Sequence, residues 1–140
     1  MKTRIICVGN RYASGDDTGP RVFDFLARKP PPEDVEIIDG GLSGLNLLGL
    51  VEDAKRVIFV DSISGFGRQG EVVVMDGMEA GSETSMNYGH SGGLSYLLRV
   101  LPEVIKDELP EVLLVGVEGL ADDQTIACAA DTCMRLIMEG

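Results

Sequence analysis

The 140-residue sequence predicts a single three-layer α/β/α domain, residues 1–140, built on a mixed and mostly parallel β-sheet. Short apolar runs rich in β-branched residues lack polar alternation, which is typical of strands buried on both faces. Segments of helical periodicity separate most of these runs, and this alternation predicts parallel strands joined by crossover helices. The length is that of one domain, and a chain of this size can bury a substantial core.

Five apolar runs are the predicted strands, and each ends near a glycine or an acidic residue. They span residues 4–8, 35–38, 57–60, 71–75 and 112–117. Only a glycine-rich turn at 62–70 separates the third strand from the fourth. That turn is too short for a helical crossover, so the fourth strand is predicted to run antiparallel to the others.

Two helices are predicted in the first half of the chain. The first runs from Thr18 to about Arg28, because Pro20 suits a first helical turn and the apolar residues after it share one face. The second follows the strand at 35–38 and is expected to be capped by Ser43.

Two further helices are predicted in the second half, after a long polar segment. Residues 76–89 are rich in glycine and methionine and are predicted to form a surface loop. A helix then begins near Ser91, with leucines three or four residues apart, and Pro102 is expected to kink or split it. The last helix begins near Asp123.

The composition is acidic, with 23 Asp and Glu against 12 Lys and Arg, a formal charge of −11. This charge argues against nucleic acid or an anionic membrane as a partner, because both require an excess of cationic side chains. No apolar run has the length of a signal peptide or a membrane span. Three cysteines without paired spacing fit a reducing cytoplasm, which we expect to be the location.

Candidate functional residues follow the predicted strands, where ligands bind in doubly wound sheets. Asp16 comes after the first strand, Asp61 ends the third, and His90 follows the long loop. An imidazole with two carboxylates forms a mixed nitrogen–oxygen ligand set that suits borderline divalent metals. Each residue also has a structural interpretation, as a helix-capping acid, a solvated loop acid or a structural histidine. Only convergence on one crevice makes them a site.

Two other motifs point elsewhere and are rejected. Residues 89–93 fit G-x-S-x-G, the nucleophile elbow, but no strand precedes them and no histidine follows Ser91, so a serine triad is excluded. We interpret Ser91 as a helix cap. The turn at 15–19 contains neither glycine fingerprint of a nucleotide site, and its two carboxylates would repel phosphate.

In their order and spacing, the motifs resemble those of the hydrogenase maturation endopeptidases, which trim the C-terminal extension from the large subunit of NiFe hydrogenases. The resemblance covers residues 4–120. It rests on Gly9-Asn10, Asp16-Asp17-Thr18-Gly19, Asp39 to Gly44, Val60-Asp61, Gly70, His90 and Gly93-Leu94.

The resemblance implies a five-stranded sheet of order 2-1-3-5-4 with strand 4 antiparallel. It also implies that catalysis and metal binding fall to Asp16, Asp61 and His90, and that Asp39 to Gly41, including Gly40, contacts substrate. The implied metal is nickel supplied by the substrate's own active site, although other divalent metals can occupy such a site. The implied partner is a NiFe hydrogenase large-subunit precursor, cut after nickel insertion.

The chemistry at such a site stays open at this point. A metal there can polarise the scissile carbonyl or lower the pKa of an attacking water, with a spare carboxylate as base. Two rival functions also stay open. One is a non-catalytic, metal-sensing and chaperone-like binder of the precursor, and the other is a nucleotide- or flavin-binding α/β domain.

Overall fold

The computed structural model describes residues 2–42, 44–82, 92–105 and 108–139. The elements in chain order are β1 (Lys2–Val8), α1 (Thr18–Leu26), β2 (Val35–Gly41), a 3-10 helix (Leu45–Leu47), α2 (Leu48–Glu52), β3 (Ala54–Ile63), β4 (Val72–Asp76), α3 (Gly77–Ser82), α4 (Gly92–Val104), β5 (Glu111–Glu118) and α5 (Asp123–Glu139). They form one sheet of order β2-β1-β3-β5-β4, in which β4 is antiparallel and the other pairs are parallel. The predicted fold class and strand order are therefore confirmed.

The sheet separates two apolar clusters, one on each face. Helices α2, α3 and α4 cover one face, and α1 and α5 cover the other. Within β1, Ile6 and Val8 belong to the first cluster, whereas Ile5 and Cys7 belong to the second. Because successive side chains of a strand alternate between faces, covering both faces requires uninterrupted apolar runs. This confirms the three layers.

The strands continue past the apolar runs from which they were predicted. Asp61 lies inside β3 rather than after it, and Asp39 to Gly41 belongs to β2. The cause is strand pairing, since β5 pairs with β3 as far as Ile63 and so continues the ladder through polar residues. In the other direction, α1 ends at Leu26, two residues before its predicted end.

The predicted loop at 76–89 is wrong over its first part, because residues 77–82 form α3. Asp76 caps this helix, with Oδ1 accepting the N–H groups of Met78 and Glu79 at 2.8 and 3.3 Å. Ala80 is buried in the core beside α4. The rest of that segment, with the predicted caps Ser43 and Ser91 and the candidate His90, lies outside the described residues.

Two details of the helices also differ from prediction. Pro102 lies in the last turn of α4, and the helix continues through it to Val104, so the predicted split is wrong and the predicted kink stays a prediction. The second predicted helix consists of a 3-10 turn followed by the short α2, with Leu47 and Val51 buried. In the parts of the chain that the structure describes, no helix has the length and apolar character needed to cross a membrane.

Close approach between α1 and the end of β1 requires glycine at two positions. A Cβ on Gly19 would overlap the main chain of Val8, and Gly9 has a φ of 145°. A Cβ on Gly9 would also collide with the carbonyl of Asp16. These glycines therefore let the helix and its preceding loop lie directly against the carboxyl end of β1.

This packing predicts opposite effects for two glycine-to-alanine substitutions. Gly19→Ala should lower the free energy of unfolding by roughly 3 kcal/mol or more, because the strand backbone cannot move aside. The matched control is Gly49→Ala in α2, where a Cβ meets nothing within 4 Å. It should raise stability by about 0.5–1 kcal/mol. Urea unfolding monitored by circular dichroism measures the free energy of unfolding of both variants. Equal effects would contradict the close approach of α1 to the end of β1.

Candidate active site

The parallel strands bring the predicted functional loops to one edge of the sheet. Strands β1, β2, β3 and β5 all end there, so the segments that follow them are neighbours. Asp16 lies in the loop between β1 and α1, and Asp61 lies near the end of the adjacent β3. The structure therefore places two of the three predicted metal ligands on neighbouring elements.

The main chain holds the loop around Asp16 in a compact turn. The Asn10 N–H donates to the carbonyl of Asp16 at 2.8 Å, and the Asp16 N–H donates to the carbonyl of Ala13 at 3.0 Å. The Gly9 N–H donates to the carbonyl of Gly41 at 2.8 Å, which joins this turn to the end of β2. These main-chain hydrogen bonds fix the position of Asp16 independently of its side-chain contacts.

Ser62 contacts both candidate carboxylates. Its hydroxyl donates a long hydrogen bond, 3.4 Å, to Asp16 Oδ1, and its N–H donates to Asp61 Oδ1 at 2.8 Å. The exposed fractions are 7% for Asp16, 1% for Asp61 and 2% for Ser62. Two acidic side chains and a serine thus form a buried polar cluster, named here the Asp16–Ser62–Asp61 cluster.

Burial makes this cluster receptive to positive charge. An ionised carboxylate away from water is unfavourable by several kcal/mol unless hydrogen bonds or an opposite charge compensate it. A cation at the cluster would supply such an opposite charge. Oxygen donors of this kind fit a divalent metal.

The described residues do not by themselves form a metal site. Within residues 2–42, 44–82, 92–105 and 108–139, no three His, Cys, Asp or Glu side chains are grouped closely enough to hold a metal ion. Asp16 and Asp61 fit as two oxygen ligands. The predicted third ligand, His90, lies outside the described residues and stays a prediction.

The predicted substrate-contact segment, Asp39 to Gly41, lies at the same edge but has separate partners. The Asp39 carboxylate accepts a 3.0 Å hydrogen bond from Arg11, whose guanidinium also pairs with Asp24 at 2.6 Å. These two acids raise the pKa of Arg11 above its usual value. A shallow cleft of about 260 Å³ borders Asp39 and Gly41, and Tyr12 forms part of its wall.

Comparison with known proteins assigns the family. The family model described as "Hydrogenase maturation protease" matches residues 20–130, which is more than half of the chain. The chain belongs to this family of proteases. The sequence resemblance is therefore confirmed.

Three similar proteins show how far the likeness to this maturation protease extends. The hydrogenase 3 maturation protease of Escherichia coli K12 is 27% identical over 120 residues, 84% of this chain and 73% of its own length. The solved structure of the hydrogenase maturating endopeptidase HybD from E. coli is 25% identical, with a TM-score of 0.82, covering 99% of this chain and 93% of that one. The maturation protease HycI of Thermococcus kodakarensis, 24% identical with a TM-score of 0.68 and 99% and 90% coverage, shares the fold.

Ser62 is the member of the cluster that sequence reasoning misses. Residues 62–70 read as a turn because of their glycines, and a serine in a turn carries no functional signal. The sequence feature that could indicate Ser62 is its polar side chain directly after Asp61. A β3 that continues past Val60 buries both Asp61 and Ser62. Recognising it requires the β3–β5 pairing, in which Ser62 lies opposite Val117.

The two buried cysteines of this maturation protease lack the environment of a catalytic thiol. Cys7 and Cys133 are buried and unpaired, whereas Cys128 is exposed on α5. Desolvation raises the pKa of Cys133 to about 12 and that of Cys7 well above its usual value. A reactive thiol needs a lowered pKa and access to solvent, so neither buried cysteine is a nucleophile at neutral pH.

Thiol titration tests this assignment. At pH 8 the native protein should react rapidly with one equivalent of Ellman's reagent, at Cys128, since the buried thiols stay protonated until the pH approaches their raised pKa values. Unfolding in guanidinium should release all three. A Cys128→Ser variant is the control and should lose the rapid phase. Rapid reaction of a second thiol in the native state would contradict the burial of Cys7 and Cys133.

The hydrogen bond between Ser62 and Asp61 predicts the stability of two variants. Asp61→Asn keeps an oxygen that can accept the Ser62 N–H, whereas Asp61→Ala leaves that buried donor without its acceptor. The alanine variant should therefore be less stable than the asparagine variant by about 1–3 kcal/mol. Urea unfolding at pH 7 in the presence of a chelator measures the difference. Equal stability of the two variants would show that the contact is absent.

Proposed function

We propose that the chain is an endopeptidase that removes the C-terminal extension of a NiFe hydrogenase large-subunit precursor after nickel has been inserted. The observation that carries this proposal is the buried Asp16–Ser62–Asp61 cluster at the carboxyl edge of the sheet. The family of hydrogenase maturation proteases and the relatives of that name supply the reaction class.

The nickel in this proposal belongs to the precursor. Asp16 and Asp61 supply two oxygen ligands from adjacent elements, and His90 supplies the third ligand as nitrogen. Nickel accepts such mixed sets, and two buried acids gain the positive charge that their burial favours. A precursor without nickel offers no such charge, which makes binding depend on completion of the metal centre.

The chain's own residues then act on the peptide next to that metal. The metal, when bound, polarises the scissile carbonyl or lowers the pKa of the attacking water. A carboxylate oxygen of Asp16 or Asp61 would take the proton from that water. The Ser62 hydroxyl holds Asp16 in place, and the low exposure of the cluster keeps bulk water away from it.

The segment Asp39 to Gly41, which includes Gly40, is proposed to contact the precursor's peptide. It lies at the carboxyl end of the edge strand β2, beside the cleft that Tyr12 and Leu42 border. Gly41 has a φ of 64°, and a Cβ placed there would meet nothing within 4 Å. A peptide main chain can therefore approach closely at this position.

We further propose that the reaction takes place in the cytoplasm. The three cysteines are free in the structure, two of them buried. Unpaired structural thiols are typical of a reducing compartment.

Cleavage of a purified precursor tests the proposal. Wild-type protein should shorten the nickel-loaded large-subunit precursor of the same organism and leave the nickel-free precursor intact, as measured by intact-protein mass spectrometry. Asp16→Asn, Asp61→Asn and His90→Ala should each reduce the rate roughly 100-fold or more, because each removes a ligand or a proton acceptor. Asp17→Asn is the matched control and should cleave at about the wild-type rate, since the Asp17 side chain makes no capping bond.

The alternatives predict other outcomes of the same assay. A non-catalytic binder would form a complex with the loaded precursor and leave its mass unchanged. A nucleotide- or flavin-binding domain would bind its ligand equally well after His90→Ala and would not respond to nickel. Normal cleavage by His90→Ala would contradict the proposed ligand set.

A further inference from the structure

A third buried acid lies at the carboxyl edge and serves a different purpose. Glu118, the last residue of β5, has an exposed fraction of 8%. Its Oε2 accepts the Gly65 N–H at 2.9 Å, and its Oε1 accepts those of Phe66 and Gly67 at 2.9 and 3.0 Å. Three successive main-chain donors converging on one carboxylate form a nest for an anion, and hydrogen bonds to an ionised acceptor are stronger than neutral ones.

The main chain of Glu118 contacts the same segment. The Gly70 N–H donates to the Glu118 carbonyl at 2.7 Å, and the Glu118 N–H donates to the Glu71 carbonyl at 2.9 Å. Residues 64–71, which follow β3 and are named here the glycine loop, are therefore fixed to one residue at both of their ends. This loop comes directly after Ser62 and Ile63. Its position therefore sets the shape of the carboxyl edge of the sheet beside the candidate site.

The glycine loop in turn holds the segment that follows β5. Gln69 Nε2 donates to the Leu120 carbonyl at 3.2 Å. The exposed Leu120 side chain lies against the Asp16 loop, with Cδ2 3.5 Å from the position that a Cβ on Gly15 would take. The glycine loop and residues 119–122 thus form a continuous border, named here the β5 rim, that reaches the residue next to Asp16.

We propose that Glu118 is a positioning residue that holds the β5 rim in the arrangement that binds the precursor, an inference that rests on the proposed function. A precursor whose scissile peptide reaches the buried carboxylates has to pass over the exposed residues beside them, and Leu120 is one of these. The hydrogen bonds from Ser62 to Asp16 and Asp61 do not involve Glu118. Loss of Glu118 therefore acts on precursor binding and leaves the chemical step unchanged.

The geometry also predicts a graded response at position 118. A glutamine can keep its oxygen toward Phe66 and Gly67, but its NH₂ group then faces the N–H of Gly65. Glu118→Gln therefore loses one of three side-chain hydrogen bonds, and Glu118→Ala loses all three. One hydrogen bond corresponds to about fivefold in an equilibrium constant.

Steady-state kinetics with the nickel-loaded precursor tests the inference. Glu118→Gln should raise KM roughly fivefold with kcat within about twofold of wild type, and Glu118→Ala should raise KM further. Glu111→Gln is the matched control, because it removes an ion pair with Arg56 at the opposite end of β5 and should leave KM unchanged. Gln69→Ala, an exposed substitution that keeps the core intact, should raise KM as well, and its effect should not add to that of Glu118→Gln.

Parallel measurements separate the possible failures. Equilibrium binding of the precursor should weaken by the same factor as KM rises. Amide exchange should accelerate at Gly65 in Glu118→Gln and at Gly65 to Gly67 in Glu118→Ala. If the wild type binds the precursor without cutting it, the proposed cleavage fails, and the binding data still decide the role of Glu118. If Glu118→Gln and Gln69→Ala bind as tightly as Glu111→Gln, or lose kcat instead of affinity, the inference is overturned.

Discussion

The parallel pairing of β1 with β3 is the constraint on which the candidate site depends. It places the loop that carries Asp16 beside the strand that carries Asp61, and both acids meet at Ser62. The pairing is possible because helices cover both faces of the sheet and bury the apolar runs completely. Gly9 and Gly19 then let α1 and its loop approach the end of β1 closely enough to hold Asp16 in place.

The same arrangement lowers the stability of the fold at the place where the candidate site lies. Burying two acids together is unfavourable for folding, and the surrounding sheet offsets that effect through strand pairing and apolar packing. The chain accommodates its buried acids in two ways, through the Ser62 donors at Asp16 and Asp61 and through the main-chain donors at Glu118. Asp16 and Asp61 both contact Ser62, and we propose that they bind the precursor's nickel. The Glu118 carboxylate instead accepts the N–H groups of Gly65 to Gly67, and we propose that it holds the β5 rim in place.

The sequence predicts the fold well because local patterns determine it. Uninterrupted β-branched runs indicate strands buried on both faces, and the short turn at 62–70 indicates an antiparallel fourth strand. Pairing partners leave no local pattern, so only the family resemblance indicates the order of the strands. The two glycines of α3 resemble a loop, so the sequence does not predict this helix, although Asp76 caps it.

The site is only partly readable from sequence, for a related physical reason. Asp61 directly follows a predicted strand and Asp16 lies in the loop after another, so the sequence shows both as candidates. Ser62 and Glu118 could not be identified in this way, because their roles arise from contacts between distant positions. Ser62 contacts Asp16 across 46 residues, and the Glu118 carboxylate contacts the glycine loop across 51 to 53 residues. Such contacts exist only once the sheet has aligned β1, β3 and β5.

The central claim is that Asp16 and Asp61 bind the nickel of the precursor directly. Nickel-edge X-ray absorption of the loaded precursor, recorded with and without the wild-type protein, tests it most directly. We predict additional oxygen or nitrogen ligation of nickel on complex formation, and fewer added ligands with the Asp16→Asn, Asp61→Asn double variant. An unchanged nickel spectrum in a complex that forms with wild-type protein would contradict the account.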